Sequence, residues 1–117
     1  MMNSQEMLLE EKVLIQLVKD IGLDNTRKFM NSLDNEFQKR IGSLRKAMED
    51  ESYEGLAAEA HALKSSAQVS GAYKLAEILI KLEVEAGRKN KEALSLAQDA
   101  ITLADLTRFA YLDVKLT

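Results

Sequence analysis

Not one proline interrupts this chain of 117 residues, and its apolar side chains return every three or four positions. A proline ring removes a backbone donor and clashes with the preceding turn, so a chain without it can stay helical anywhere. Only five glycines are present, and Ala, Leu, Lys and Glu are abundant, which favours helix almost throughout. The clearest seam runs Met30, Leu33, Phe37, Ile41, Leu44 and Met48. A stripe sustained for that length predicts a long helix packed along one side, as in a bundle.

The rest of the chain divides at its breaks. Leu8, Leu9, Val13, Leu14, Leu17, Val18 and Ile21 predict a short amphipathic helix that stops at Gly22. Asp24 is then expected to cap the long helix, its side-chain oxygen accepting from the first-turn amides. Gly42 sits inside that helix at a cost of about 1 kcal/mol relative to alanine, and nothing in the sequence accounts for it. Asp50-Glu51-Ser52 makes the next break, and a third helix follows with Leu56, Ala60, Leu63 and Ala67 as its buried stripe. Gly71 ends or kinks it. Leu75, Ile78, Leu79 and Leu82 line a fourth helix that closes at Gly87, a C-cap position. Arg88-Lys89-Asn90-Lys91 reads as a solvated turn, and the last helix carries Leu94, Ala97, Ile101 and Ala104 toward Phe109 and Leu112. No internal repeat, low-complexity tract or linker is evident. The expected fold is all-α: an antiparallel four-helix bundle, with a short additional N-terminal helix covering one end. Residues 1–117 read as one domain, and 46% hydrophobic content suffices for a single core.

Composition narrows the function. The chain has no cysteine, which removes disulfides, thiolate metal sites and cysteine nucleophiles, and suits a reducing compartment. A net charge of −3 without a basic cluster argues against nucleic acid, whose phosphates demand a positive face. No apolar run approaches the roughly 20 residues of a membrane span. Glu6, Glu10 and Glu11 stand where a signal peptide would be apolar. A cytoplasmic, soluble protein is expected.

The chain has one histidine, His61, in Ala60-His61-Ala62-Leu63-Lys64-Ser65-Ser66-Ala67. On a helix, Lys64, Ser65 and Gln68 share its face, as do Glu54, Ala57 and Ala58 going backwards. The face combines a nucleophile, a cation to hold an anion beside it, and a floor of small side chains. His61 is offset from the buried stripe by well over a right angle, so it should be at least partly exposed. On an arbitrary helix such a histidine is usually just solvated; the neighbours single this one out. An imidazole, with an ordinary pKa of about 6.5, offers a lone pair at neutral pH without an elaborate activating pocket. One ring nitrogen can act as a nucleophile when the other is hydrogen-bonded to hold the correct tautomer. Lys64 can hold an anion beside it from the adjacent turn.

His61-Ala62-Leu63-Lys64 followed by small residues, then Gly71-Ala72, then Leu82-Glu83, resembles the histidine-containing phosphotransfer (HPt) domain. That family's usual pattern is Ala-His-x-Leu-Lys-Gly-Ser-Ser, with Gly-Ala and then Leu-Glu further along. The motif occupies residues 60–83, and the helix count extends the resemblance to nearly the whole chain. With Ser after the Lys, the chain looks most like the free-standing, LuxU-type phosphorelay shuttles. Ser65 stands where the family usually has glycine; it adds a hydroxymethyl group but is still small, so partner approach is expected to survive.

The resemblance implies a phosphorelay intermediate. His61 would accept a phosphoryl group from the aspartate of a receiver domain on a hybrid sensor kinase and pass it to the receiver domain of a response regulator. Glu83, on the facing helix, would help to orient His61, and Gln68 is a second polar candidate near the phosphate. Ala57, Ala58 and Ser65 would form the small floor for docking, and Gly71 is the motif glycine. Glu83 as an ordinary exposed helix charge, and Gln68 as a solvated one, stay open. The chain has no Walker-type loop, no nucleotide motif and no acidic cluster for Mg²⁺, so no cofactor of its own is expected. The receiver partner would bring the Mg²⁺. A monomer suffices for such a shuttle. Enzymatic turnover lacks support: Ser65 is one turn from His61, but no nucleophile elbow appears, and one histidine without cysteine leaves only dispersed carboxylates for a metal. The remaining alternative is a helical adaptor that works without phosphorylation, in which replacing His61 would change nothing.

Overall fold

A computed structural model describes residues 8–116. Among them lie five helices and no strand: α1 (Glu11–Ile21), α2 (Leu23–Glu49), α3 (Tyr53–Val69), α4 (Tyr73–Gly87) and α5 (Glu92–Leu112). Glu6 lies outside the described residues. Helices α2 to α5 form the bundle, with α3 packed most extensively on α4, and α1 lies against α2. The all-α fold is as expected.

The core follows the apolar stripes. Leu33, Phe37, Ile41 and Leu44 of α2 are buried, with Met30 and Met48 only partly covered at the ends of that seam. Leu56, Ala60, Leu63 and Ala67 of α3 are fully buried, as are Leu75, Leu79 and Leu82 of α4. Small alanines on one side and leucines on the other let α3 and α4 approach closely and interdigitate.

The last helix departs from the expected seam. Phe109 and Leu112 are 58% and 65% exposed, and the buried face continues instead through Ala100, Ala104, Thr107 and Tyr111. Thr107 satisfies its hydroxyl within the helix by donating to the Leu103 carbonyl at 2.7 Å, so a polar residue can take a core position. The ring of Tyr111 meets Phe37 edge-on at 5.9 Å between centroids. Its hydroxyl donates to the Ser70 carbonyl at 3.0 Å and lies against the Ser70 hydroxyl, which itself donates to the Ser66 carbonyl at 2.7 Å. Burial pushes the Tyr111 phenol up to about 12. Arg108 adds a second tie, its guanidinium donating to Asp34 of α2 at 2.9 Å. That contact holds the Asp34 carboxyl below its ordinary value.

The turns also differ in detail from the sequence reading. Leu8 and Leu9 precede α1, which begins only at Glu11, and Leu9 is nonetheless buried. Asp24 is not a cap. Helix α2 starts at Leu23 directly after Gly22, whose φ of +88° separates it from α1 in one residue and leaves Asp24 inside the first turn. Thr26 bonds back to the Gly22 carbonyl through its amide and its hydroxyl, at 3.1 and 2.8 Å. Ser52 caps α3, accepting from the Gly55 amide at 3.0 Å. Gly87 is the last residue of α4 rather than its cap; Lys89, with φ of +54°, makes the left-handed step that follows. The 88–91 connector is exposed, as a solvated turn should be.

Gly71 ends α3 with φ of +87°. A Cβ there would stand 2.9 Å from the Glu10 carbonyl oxygen, and the Glu10 amide donates to the Gly71 carbonyl at 2.9 Å. The segment leading into α1 is thereby fastened to the α3–α4 turn, while α1 itself packs against α2.

Candidate functional site

Burial of Ala60 and Leu63 on one side of α3 turns the intervening His61 and its neighbour Lys64 away from the core centre. On α4, burial of Leu79, Leu82 and Ala86 sets the rotation that brings Glu83 to the same edge. Three polar side chains from two helices therefore meet where α3 and α4 run alongside each other.

Glu83 is the centre of the group. One carboxylate oxygen (Oε2) lies 2.9 Å from His61 Nδ1, and the other (Oε1) accepts from Lys64 Nζ at 2.9 Å. The side chains of His61, Lys64 and Glu83 are 63%, 21% and 31% exposed, so the imidazole stands in solvent above two partly covered charges. The ammonium of Lys64, ahead of the imidazole of His61, holds the Glu83 carboxyl below its ordinary value, against a smaller opposing effect of desolvation. Glu83 is thus a carboxylate near neutral pH and can only accept hydrogen bonds. It follows that Nδ1 carries the proton it shares with Glu83, and that in the neutral ring the lone pair sits on Nε2.

The three small residues expected beside His61 lie on α3 with it. Ala58 and Ser65 are exposed and Ala57 is half-buried. The Ser65 hydroxyl turns back toward the His61 carbonyl at 3.4 Å, a long and weak contact along its own helix. Gln68 is exposed further along α3 and, among the described residues, makes no side-chain hydrogen bond to the trio. The direct tie between Lys64 and Glu83 is the feature sequence reasoning missed. The two residues are nineteen apart and on different helices, and only the relative rotation of α3 and α4 brings them together. Their opposite charges were the available signal, but many such pairs exist in this chain.

Arg40 fixes the other flank of α3. It bonds Glu36 on its own helix at 2.7 Å and Glu59 of α3 at 3.1 Å. Among the described residues no cluster of three or more His, Asp or Glu side chains is arranged to hold a metal ion. No helix of these residues is long and apolar enough to cross a membrane.

Comparison with known proteins bears on the family and on the fold. The family model of the Hpt domain matches residues 28–109, a span that contains His61, Lys64 and Glu83. No curated protein sequence matches the chain. Among solved structures, the chain is similar to histidine-containing phosphotransfer protein B from Pseudomonas aeruginosa PAO1, with a TM-score of 0.82 and 23% identity. That likeness covers 90% of this chain and 91% of the other, and at such identity it speaks for the fold.

Proposed function

Because the chain belongs to the Hpt domain family, whose members carry phosphoryl groups on histidine in two-component signalling, we propose that His61 is its phosphoacceptor. It receives the group from the aspartate of an upstream receiver domain, on a hybrid sensor kinase, and delivers it to the receiver aspartate of a response regulator. The observation that carries this reading is the solvent-exposed imidazole whose Nδ1 is engaged by Glu83 at 2.9 Å, which leaves Nε2 as the nucleophile.

In the transfer, the Nε2 lone pair forms a bond to phosphorus while the P–O bond to the donor carboxylate breaks and the carboxylate leaves with its electron pair. The ring then carries both the Nε2–P bond and the Nδ1 proton, hence a positive charge that Glu83 offsets. Lys64 offers its ammonium to the phosphoryl oxygens. Ala57, Ala58 and Ser65 keep the approach low, so that a receiver can bring its own aspartate and Mg²⁺ up to the ring; Gln68 stands at the far edge of that approach. The return step is the reverse, with a second receiver aspartate attacking phosphorus and the Nε2–P bond breaking. The carrier works as a monomer and a single domain, in the cytoplasm, with no nucleotide or metal of its own.

Incubation with a phosphorylated receiver domain and Mg²⁺ should place an acid-labile, base-stable phosphate on the chain. Mass-spectrometric mapping should find it on His61, and His61→Gln should remove it. Label that persists in that variant refutes the assignment; unchanged binding and signalling without label would leave a helical adaptor instead.

A further inference from the structure

The lysine that should hold the phosphoryl group is already held. Lys64 Nζ sits on Glu83 Oε1 at 2.9 Å with only 21% of its side chain exposed, while the other oxygen of the same carboxylate serves His61. In the form that can attack phosphorus, with a lone pair on Nε2, the site contains one cation, one anion and an uncharged ring. After transfer, the ring is a cation and the phosphoryl group an anion, and the ring cation already lies on Glu83.

We propose that Lys64 and Glu83 form an exchange pair: phosphorylation of His61 releases Lys64 from Glu83 to the phosphoryl oxygens, while the newly cationic ring takes its place on the carboxylate. This rests on the phosphotransfer reading and adds to it a second task for Glu83, that of competing for the lysine. Each side chain ends with one opposite partner in both states, so the swap leaves no charge stranded. Lys64 contributes to phosphoryl affinity only the difference between two ion pairs, and that difference is small by construction. A carrier that must both take up and give away its cargo needs such a balance, because a lysine dedicated to the phosphate would favour loading over delivery.

The exchange has a thermodynamic signature. A cycle of Lys64→Ala, Glu83→Gln and the double variant isolates the change in Lys64–Glu83 interaction between the unphosphorylated and phosphorylated states. Glu83→Gln keeps an amide oxygen to accept from Nδ1 while removing the charge that holds Lys64. All four proteins would be equilibrated with the receiver domain that labels the wild-type chain, in Mg²⁺, and the partition of phosphate between Asp and His61 read from radiolabel. If the pair dissolves on phosphorylation, Lys64→Ala lowers the His61-bound share more in the Glu83→Gln background than in the wild type. The expected excess is about two- to fivefold in the partition constant, the strength of an ion pair near the surface. Equal effects in the two backgrounds, or a larger one in the wild type, would mean that Lys64 stays on Glu83, and would overturn the exchange while leaving His61 as carrier. A wild-type chain that takes no label at all overturns both. Lys64→Arg should restore the wild-type behaviour, since it keeps the cation.

Discussion

Glu83 has two carboxylate oxygens and divides them between a ring nitrogen and an ammonium. Its lowered pKa is a statement about stability with a definite sign. A carboxyl that is more acidic in the folded chain than in the unfolded one stabilises the fold above the unfolded value of about 4.5, and loses that contribution as pH falls through the folded value. The urea-unfolding free energies of the wild type and Glu83→Gln should therefore differ most near neutrality, by about 1 kcal/mol or less for a pair this close to solvent. The gap should begin to narrow near the unfolded carboxyl value and close once pH has fallen through the lower folded one. A gap that stays constant from neutral to acid pH would show that the charge of Glu83 adds nothing. At this scale the motif made His61 and Glu83 legible, because their spacing is local to two helices of the pattern. The pairing of Lys64 was not legible, since a salt bridge between helices depends on rotation and separation that neither segment records.

Helix boundaries show the same division. The break at Asp50-Glu51-Ser52 was legible, and Ser52 proves to be the cap of α3, its oxygen accepting from an amide of the helix's own first turn. Asp24 carried the same residue chemistry and was misread, because Gly22 starts α2 early by adopting a positive φ. Gly87 was a sound candidate for a left-handed step, yet Lys89 takes it, at an energetic cost that the neighbouring contacts outweigh. Gly71 needs its freedom on two counts, its positive φ and the Glu10 carbonyl beside it. Gly71→Ala should destabilise the chain by about 1–3 kcal/mol, from strain at positive φ and the displaced Glu10 contact. Amide hydrogen exchange should show the loss first in α1 and the α3–α4 turn. Wild-type stability and protection in that variant would refute the fastening role.

For the molecule as a whole, two ties from α5 hold the bundle across long stretches of sequence. Arg108 reaches Asp34, and Tyr111 reaches Ser70. Tyr111→Phe keeps the edge-on contact with Phe37 but leaves the buried Ser70 carbonyl without its donor, which should cost about 1–3 kcal/mol in urea unfolding. A thermally and chemically unchanged variant would show that the hydroxyl adds nothing to the bundle. Because His61 and Glu83 lie away from that tie on α3 and α4, phosphate labelling at neutral pH should be retained while the fold persists. Five helices, the buried stripes of α2, α3 and α4, and an exposed imidazole beside a lysine were all determined by the sequence itself, because helical periodicity and propensity act within a few residues. The face that α5 buries, the residue that starts α2, and the sharing of one carboxylate by a histidine and a lysine were decided only in the tertiary structure. Each depends on how whole helices rotate against one another to close-pack their side chains, and that rotation is a property of the assembled core.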